Sequence, residues 1–237
     1  KSGLPGIDVP QDIAFIETLY KFASKYKIKT ILNGGNISTE VVTTPIKLLY
    51  WGGDTRLIKD VLKTFGTKDL ETFPLSSIFY RKIWLRFFEG IRTYKPLNDM
   101  TYIKKDAIET LEKEYGWKRY LHKHYESRFT AFFEGFWLNK RFNYDMRRRE
   151  FSSLILTGQM NRAEAYEKIK LAVFNKLDLK NEFRYVANKL QISIEDLEKY
   201  LYIEKKYFYN YKNNHRIINL GAYILNKTTG QTKGGAI

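Results

Sequence analysis

The sequence predicts an α/β protein, with a parallel sheet first and a mostly helical C-terminal region after it. Helical and strand-like periodicities alternate as far as Trp117, the order that builds parallel sheets. Beyond Trp117 the strand signals fade while helix caps continue. The 237 residues are 43% hydrophobic and 28% charged. That balance excludes wholesale disorder, a collagen repeat and a pure coiled coil.

Residues 10–27 predict an amphipathic helix with two apolar stripes, one through Ile13, Ile16, Tyr20 and Ala23 and one through Phe15, Leu19, Phe22 and Tyr26. Two stripes predict burial on more than one side. Ile28 to Leu32 reads as a short strand, followed at once by the turn Asn33-Gly34-Gly35-Asn36. That turn lies at the carboxyl end of the strand, where open α/β sheets bind ligands. A helix is expected from the N-cap Asp54 to Gly66, and another over 76–89. Residues 91–95 form a second strand, closed by Pro96, and Lys104 to Tyr115 a helix ending at Gly116.

Helices are expected over 125–137 and 145–157. Asn161 with Glu164, and Ser193 with Asp196, have capping-box spacing. Residues 181–202 have the outline of a helix-turn-helix. However, Glu195, Asp196 and Glu198 stand where a recognition helix would meet DNA, so they read as a packing hairpin.

The expected division is a nucleotide-binding α/β part at 1–117, a helical substrate or partner region at 118–225, and a flexible tail at 226–237. A two-stranded sheet is too small to be stable alone. Residues 1–117 are therefore expected to be the second half of a sheet whose first strands precede Lys1.

Net charge is +15 and aromatics reach 16%. This suits polyanions such as nucleotide phosphates, nucleic acid or an acidic membrane surface. An AT-rich genome, favouring Lys, Tyr, Phe, Ile and Asn codons, would give the same composition. Cysteine is absent, which removes disulfides, thiolate zinc sites and cysteine nucleophiles. No run of about 18 apolar residues suggests a membrane helix.

The Asn33–Asn36 turn with Glu40 is the best local candidate for a site. Glycines let a backbone approach a ligand, although the same string also serves as a plain turn. His122 to Arg128 packs two histidines, a carboxylate and an arginine together. On a helix, the His122–His124 spacing points the rings apart, so an anion site through Arg128 or a purely structural helix start is favoured over a metal. Arg147-Arg148-Arg149 is either a solvated face or a phosphate contact. No self-contained catalytic motif is present.

Several strings resemble the N-acetyl sugar amidotransferases of lipopolysaccharide and related surface-sugar biosynthesis. They are Asp8-Val9-Pro10-Gln11-Asp12, Ile31 to Asn36, Lys95-Pro96-Leu97-Asn98, His124 to Thr130 and Ser152 to Met160. The resemblance extends to about residue 211. It implies a partial PP-loop ATP pyrophosphatase fold, that is, an adenine-nucleotide α-hydrolase-like, Rossmann-like parallel sheet. It also implies a cytoplasmic enzyme that uses ATP and Mg²⁺ to convert the acetamido group of a nucleotide-linked N-acetyl sugar to an acetamidino group. Ammonia would come from glutaminase and cyclase-like subunits, and no nucleic acid is expected. The family's Ser-Gly-Gly-x-Asp-Ser loop is not in the chain and is expected upstream of Lys1. The chain as it stands is therefore expected to be inactive.

The resemblance also implies site residues. Asn33, Gly34, Gly35 and Asn36 would meet the adenylate or the acceptor amide, and Lys95 phosphate. Lys82, after Pro74-Leu75, matches the wider PP-loop pattern and would also pair with phosphate. Glu40 would orient Mg²⁺ or the sugar. Ser127, Arg128 and Arg148 would bind the sugar nucleotide, and His124 or Glu126 would handle the protons of ammonia. The alternatives are a basic nucleic-acid-binding or tRNA-modifying PP-loop protein, or a non-catalytic fragment that docks a partner.

Overall fold

In the computed structural model, residues 1–120 and 122–229 are described. Chain order is α1 (Val9–Lys25), β1 (Thr30–Leu32), α2 (Ile37–Glu40), α3 (Thr55–Phe65), a π-type helix (Tyr80–Phe88), β2 (Arg92–Tyr94) and α4 (Lys104–Tyr115). Then come α5 (Arg128–Phe132), α6 (Leu138–Phe142), α7 (Arg147–Leu156), α8 (Arg162–Lys170), α9 (Lys176–Leu190), α10 (Ile194–Tyr202) and α11 (His215–Thr229). Among the described residues the protein is mostly helical with one two-stranded sheet, α/β overall as the sequence predicts.

The strands run parallel. Arg92 N–H donates to the Lys29 carbonyl at 2.8 Å and Asn33 N–H to the Tyr94 carbonyl at 2.9 Å, so partners advance together along both strands.

Two compact units form. The first combines Lys1–Ile31, Pro45–Thr93 and the chain from Glu204, and the second combines Leu32–Thr44 with Tyr94–Ile203. Both are discontinuous in sequence, whereas the expected division at residue 117 is sequential.

In the first unit, α1 starts where Pro10 needs no N–H partner. Ile13 and Ala23 are buried, and so is Glu17, whose carboxylate lies 3.2 Å from Arg81 Nε. The second apolar stripe is not buried: Phe15, Leu19, Phe22 and Tyr26 are 48–65% exposed. Only one face of α1 meets this unit's core, contrary to the expectation of burial on two sides. Ala23, Ile31, Leu85 and Ile91 form one cluster beside Tyr20 and Tyr80.

Asp54 caps α3 as predicted, accepting from the Arg56 and Leu57 N–H groups. The buried carboxylate also accepts from the Tyr50 hydroxyl at 2.8 Å and from the N–H and side chain of Asn214, just before α11. Of the expected helix over 76–89, the segment Tyr80–Phe88 is π-type, with Glu89 N–H donating to the Trp84 carbonyl five residues back. Of the expected tail, residues 226–229 belong to α11 and residues 230–237 lie outside the described residues.

In the second unit, α5 continues through a π-type segment, Phe133–Trp137, into α6. Phe132, Phe133 and Leu138 on this run are at most 1% exposed. Asn161 accepts from Glu164 N–H at 2.8 Å and Ser193 from Asp196 N–H at 3.0 Å, the two predicted caps. The chain turns between α9 and α10 at Gln191, in the left-handed region at φ 55°. Phe183 of α9 lies edge-on to Phe132 at 5.1 Å, so this pair does pack as a hairpin into the core.

Candidate functional site

The Asn33–Glu40 loop is built largely from its own side chains. Asn33 Oδ1 accepts from Gly35 N–H at 2.7 Å. Asn36 Oδ1 accepts from Thr39 N–H at 2.9 Å and so caps α2. Ile37 N–H donates to Asn98 Oδ1 at 2.9 Å. The loop then leans on α7, where Val42 N–H donates to Ser153 Oγ at 3.0 Å and the Thr157 hydroxyl donates to the Ser38 carbonyl at 3.2 Å. Gln159 adds a brace by accepting from Lys104 N–H and donating to the Tyr102 carbonyl. The string Ser152 to Met160 therefore holds the loop in place.

Three cations converge on Glu40. Lys123 Nζ donates to Glu40 Oε1 at 2.5 Å, and Lys95 and Arg149 add their fields. Burial pushes the Glu40 carboxyl up, but Lys123, Lys95 and Arg149 outweigh it and hold the group below its ordinary value. Burial, followed by the Glu40 charge, raises the nearby Tyr102 phenol. A Cβ on Gly35 would stand 2.8 Å from Glu40 Oε2 and 3.3 Å from Lys95 Nζ, so any larger residue there would push these side-chain ends aside. A Cβ on Gly34 would meet nothing within 4 Å, which leaves that backbone face open.

The structure thus brings together Asn33, Gly34, Gly35, Asn36, Glu40, Lys95 and, from the arginine run, Arg149, and adds Lys123 and Tyr102, to which the sequence assigned no role. The signal for Lys123 was its place between two histidines already singled out. Arg149 was hidden in a charge run whose members do different work. Arg147 is buried, clasps Asp145 and donates to the carbonyls of Lys168, Ile169 and Leu171. Arg148 is exposed and lines a polar cavity, and Arg149 faces Glu40 electrostatically.

The remaining predicted residues lie elsewhere. His124 sits at φ 68° with Nδ1 3.3 Å from Glu134 Oε1. His122 lies against Tyr125 instead, at 5.1 Å between rings. Ser127 caps α5 by accepting from Thr130 N–H at 3.3 Å. Arg128 Nε is shared by both oxygens of Glu182 at 2.8–2.9 Å, and the guanidinium stacks 3.9 Å over Tyr185. Glu126 is exposed. Lys82 belongs to the first unit, with Nζ 5.3 Å over the Trp51 ring.

A carboxylate ringed by three cations suits an anion close by and does not suit a divalent metal. Among the described residues, no three His, Asp or Glu side chains gather as a metal-binding group.

These features define a mostly helical α/β protein with a cationic, glycine-floored loop site. Residues 126–225 match the family model "LPS biosynthesis protein WbpG-like, C-terminal domain". This match indicates a role in lipopolysaccharide biosynthesis. It includes the Ser152–Met160 string; the strings at 8–12, 31–36 and 95–98 lie outside it. Comparisons with the curated proteins and with the solved structures gave no match. No helix among the described residues is long and apolar enough to cross a membrane.

Proposed function

We propose that the protein is an ATP-dependent N-acetyl sugar amidotransferase of surface-polysaccharide biosynthesis, with a PP-loop fold and a cytoplasmic site of action. The observation that carries this reading is the open Gly34–Gly35 turn beside Lys95, Lys123 and Arg149. The lipopolysaccharide-biosynthesis match at 126–225 supplies the sugar context.

ATP supplies the adenylate that turns the amide oxygen into a leaving group, with pyrophosphate and then AMP released as ammonia enters. In this reading Lys95 and Lys123 hold phosphate oxygens and stabilise charge that builds at phosphorus. Glu40, already surrounded by cations, sets their positions. The Mg²⁺ proposed with ATP would supply phosphate-charge neutralisation, and no carboxylate of this site is assigned to hold it. His124, anchored through Nδ1, keeps Nε2 for the ammonia proton, and Glu126 is the alternative acceptor. Arg148 is assigned to the sugar nucleotide. A similar role for Arg128 would require it to leave Glu182, and Ser127 acts there through its cap. Glutaminase and cyclase-like subunits are the proposed ammonia source.

The test is pyrophosphate release by the protein expressed from its whole gene. The expected result is release that needs ATP, a nucleotide-linked N-acetyl sugar and ammonium chloride together. Glutamine should replace ammonium only when the partner subunits are added. If none of these sugar nucleotides binds in calorimetry, the reading is wrong.

A further inference from the structure

The polar cavity lined by Arg148 lies within the second unit, between the end of α6, the start of α7 and the chain at 169–174. Its volume is about 350 Å³, within the range of about 300–1,000 Å³ usual for small-molecule sites. Phe136 and Phe174 give it aromatic walls, Asn139 and Asn143 give it amides, and Arg148 gives it a cation.

Both walls are fixed by specific contacts. Arg147 donates to three carbonyls at 168–171 and so clamps that segment to the start of α7. A Cβ on Gly135 would stand 2.7 Å from the Tyr125 hydroxyl and 3.0 Å from Phe174. Only glycine lets the 173–174 chain lie this close to the π-type segment.

The charges are also settled. Asp145 is neutralised by Arg147 at 2.6 Å, and Lys170 pairs with Glu167 at 2.7 Å. Arg148 forms no ion pair among the described residues and is the cavity's uncompensated charge. Asn139 and Asn143 are exposed, and each amide both donates and accepts. Hydroxyl and acetamido groups ask for that pairing. The aromatic walls suit the C–H face of a sugar ring, and an arginine fork suits a phosphate.

We propose that this cavity is the sugar subsite. It takes the N-acetylhexosamine ring of a sugar diphosphate, with Asn139 and Asn143 on the ring substituents and Arg148 on the diphosphate. This rests on the sugar-nucleotide substrate proposed above. It assigns the ring and diphosphate to the Arg148 side of the first turn of α7, whose next residue, Arg149, acts on Glu40, and leaves the acetamido group to meet the adenylate at that loop.

The test is calorimetric titration of the full chain with UDP-N-acetylglucosamine, UDP-N-acetylmannosamine and UDP alone. Asn143 has a left-handed backbone, so Asn143→Gly removes the amide without straining the turn. Asn139→Ala and Asn143→Gly should each weaken the sugar nucleotides about tenfold and leave UDP unchanged. Arg148→Met should weaken sugar nucleotide and UDP alike. Hydrogen exchange should show the sugar nucleotide, but not UDP, protecting residues 168–174.

Binding that these variants leave untouched would place the sugar elsewhere. The subsite would then be wrong and the amidotransferase reading would stand. Variants that weaken UDP and sugar nucleotide equally at both asparagines would make the cavity a nucleotide site. Failure of the wild-type chain to bind any of the probes would overturn both readings.

Discussion

Lys123 donates to Glu40 across 83 residues of sequence, at 2.5 Å, and the same ammonium lies 3.4 Å from the Thr39 hydroxyl. One lysine thus ties the glycine loop to the turn that carries His122 and His124. Glu40 is the internal counter-ion of the site. Glu40→Gln should leave Lys95, Lys123 and Arg149 without it and raise the affinity for pyrophosphate, read by calorimetry. The pH dependence follows from the direction of the shift. The folded pKa is lowered, so the ion pair stabilises above the ordinary value and is lost as pH falls below about 4.3. Acid unfolding of Glu40→Gln should be less steep there than that of the wild type.

Gly35→Ala tests the floor of the site. The added methyl would displace Glu40 Oε2 or Asn33 Oδ1, each 2.8 Å from its position. Nucleotide affinity should drop about tenfold, equivalent to about 1.4 kcal/mol, with a smaller change in melting temperature. Unchanged binding would remove the loop from the site.

His122 should make stability fall on mild acidification. Burial, then the Arg147 charge, lowers its pKa in the folded state. The unfolded chain therefore takes up the proton first, and stability present above about pH 6.5 is lost as pH falls through that value. Urea midpoints measured from pH 7.5 down to 5.5 should decline, and His122→Gln should flatten the decline.

Two arginines should differ sharply in urea unfolding. Arg147→Met leaves the half-buried Asp145 unpaired and three carbonyls without a donor, and should cost about 2–4 kcal/mol. Arg128→Ala removes a half-exposed contact in which Nε alone meets both Glu182 oxygens, and should cost under about 1 kcal/mol. Lysine should restore Arg128 only in part, because it can donate to Glu182 but lacks the flat face over Tyr185.

Ser153 is fully buried, accepting from Val42 N–H and donating to the Arg149 carbonyl at 2.9 Å. Ser153→Ala should cost about 1–3 kcal/mol through the stranded Val42 N–H. Amide exchange at Val42 should accelerate more than the global stability loss explains.

What the sequence could reveal was local. The caps at Asp54, Asn161 and Ser193 join a side chain to an N–H two or three residues on, so spacing alone betrays them. The Gly34–Gly35 turn was legible for the same reason. The cation set around Glu40 was not, because Lys95, Lys123 and Arg149 reach it from far along the chain and no periodicity encodes such meetings. Ser153, Thr157 and Gln159 were visible as a string, yet their partners lie on other segments. The stripe through Phe15, Leu19, Phe22 and Tyr26 showed that α1 is apolar on two sides but not whether both are covered. Helix α11 was missed although Asn213 and Asn214 stand before it as cap residues, with Asn213 Oδ1 accepting from His215 N–H at 3.0 Å; the glycine- and threonine-rich end of the chain obscured it.

Ser2 accepts from the Tyr211 hydroxyl at 2.6 Å, and Lys206 N–H donates to the Gly3 carbonyl at 3.1 Å. The first unit therefore cannot close until the ribosome has made the residues beyond Glu204. At about 5–20 residues per second, that leaves the N-terminal segment waiting roughly 10–40 s. Throughout that interval the inner face of α1, with Ile13, Glu17 and Ala23, which folding buries, waits without its native partners. Translation speed and the supply of holding chaperones would then govern the yield of folded protein from an expression host.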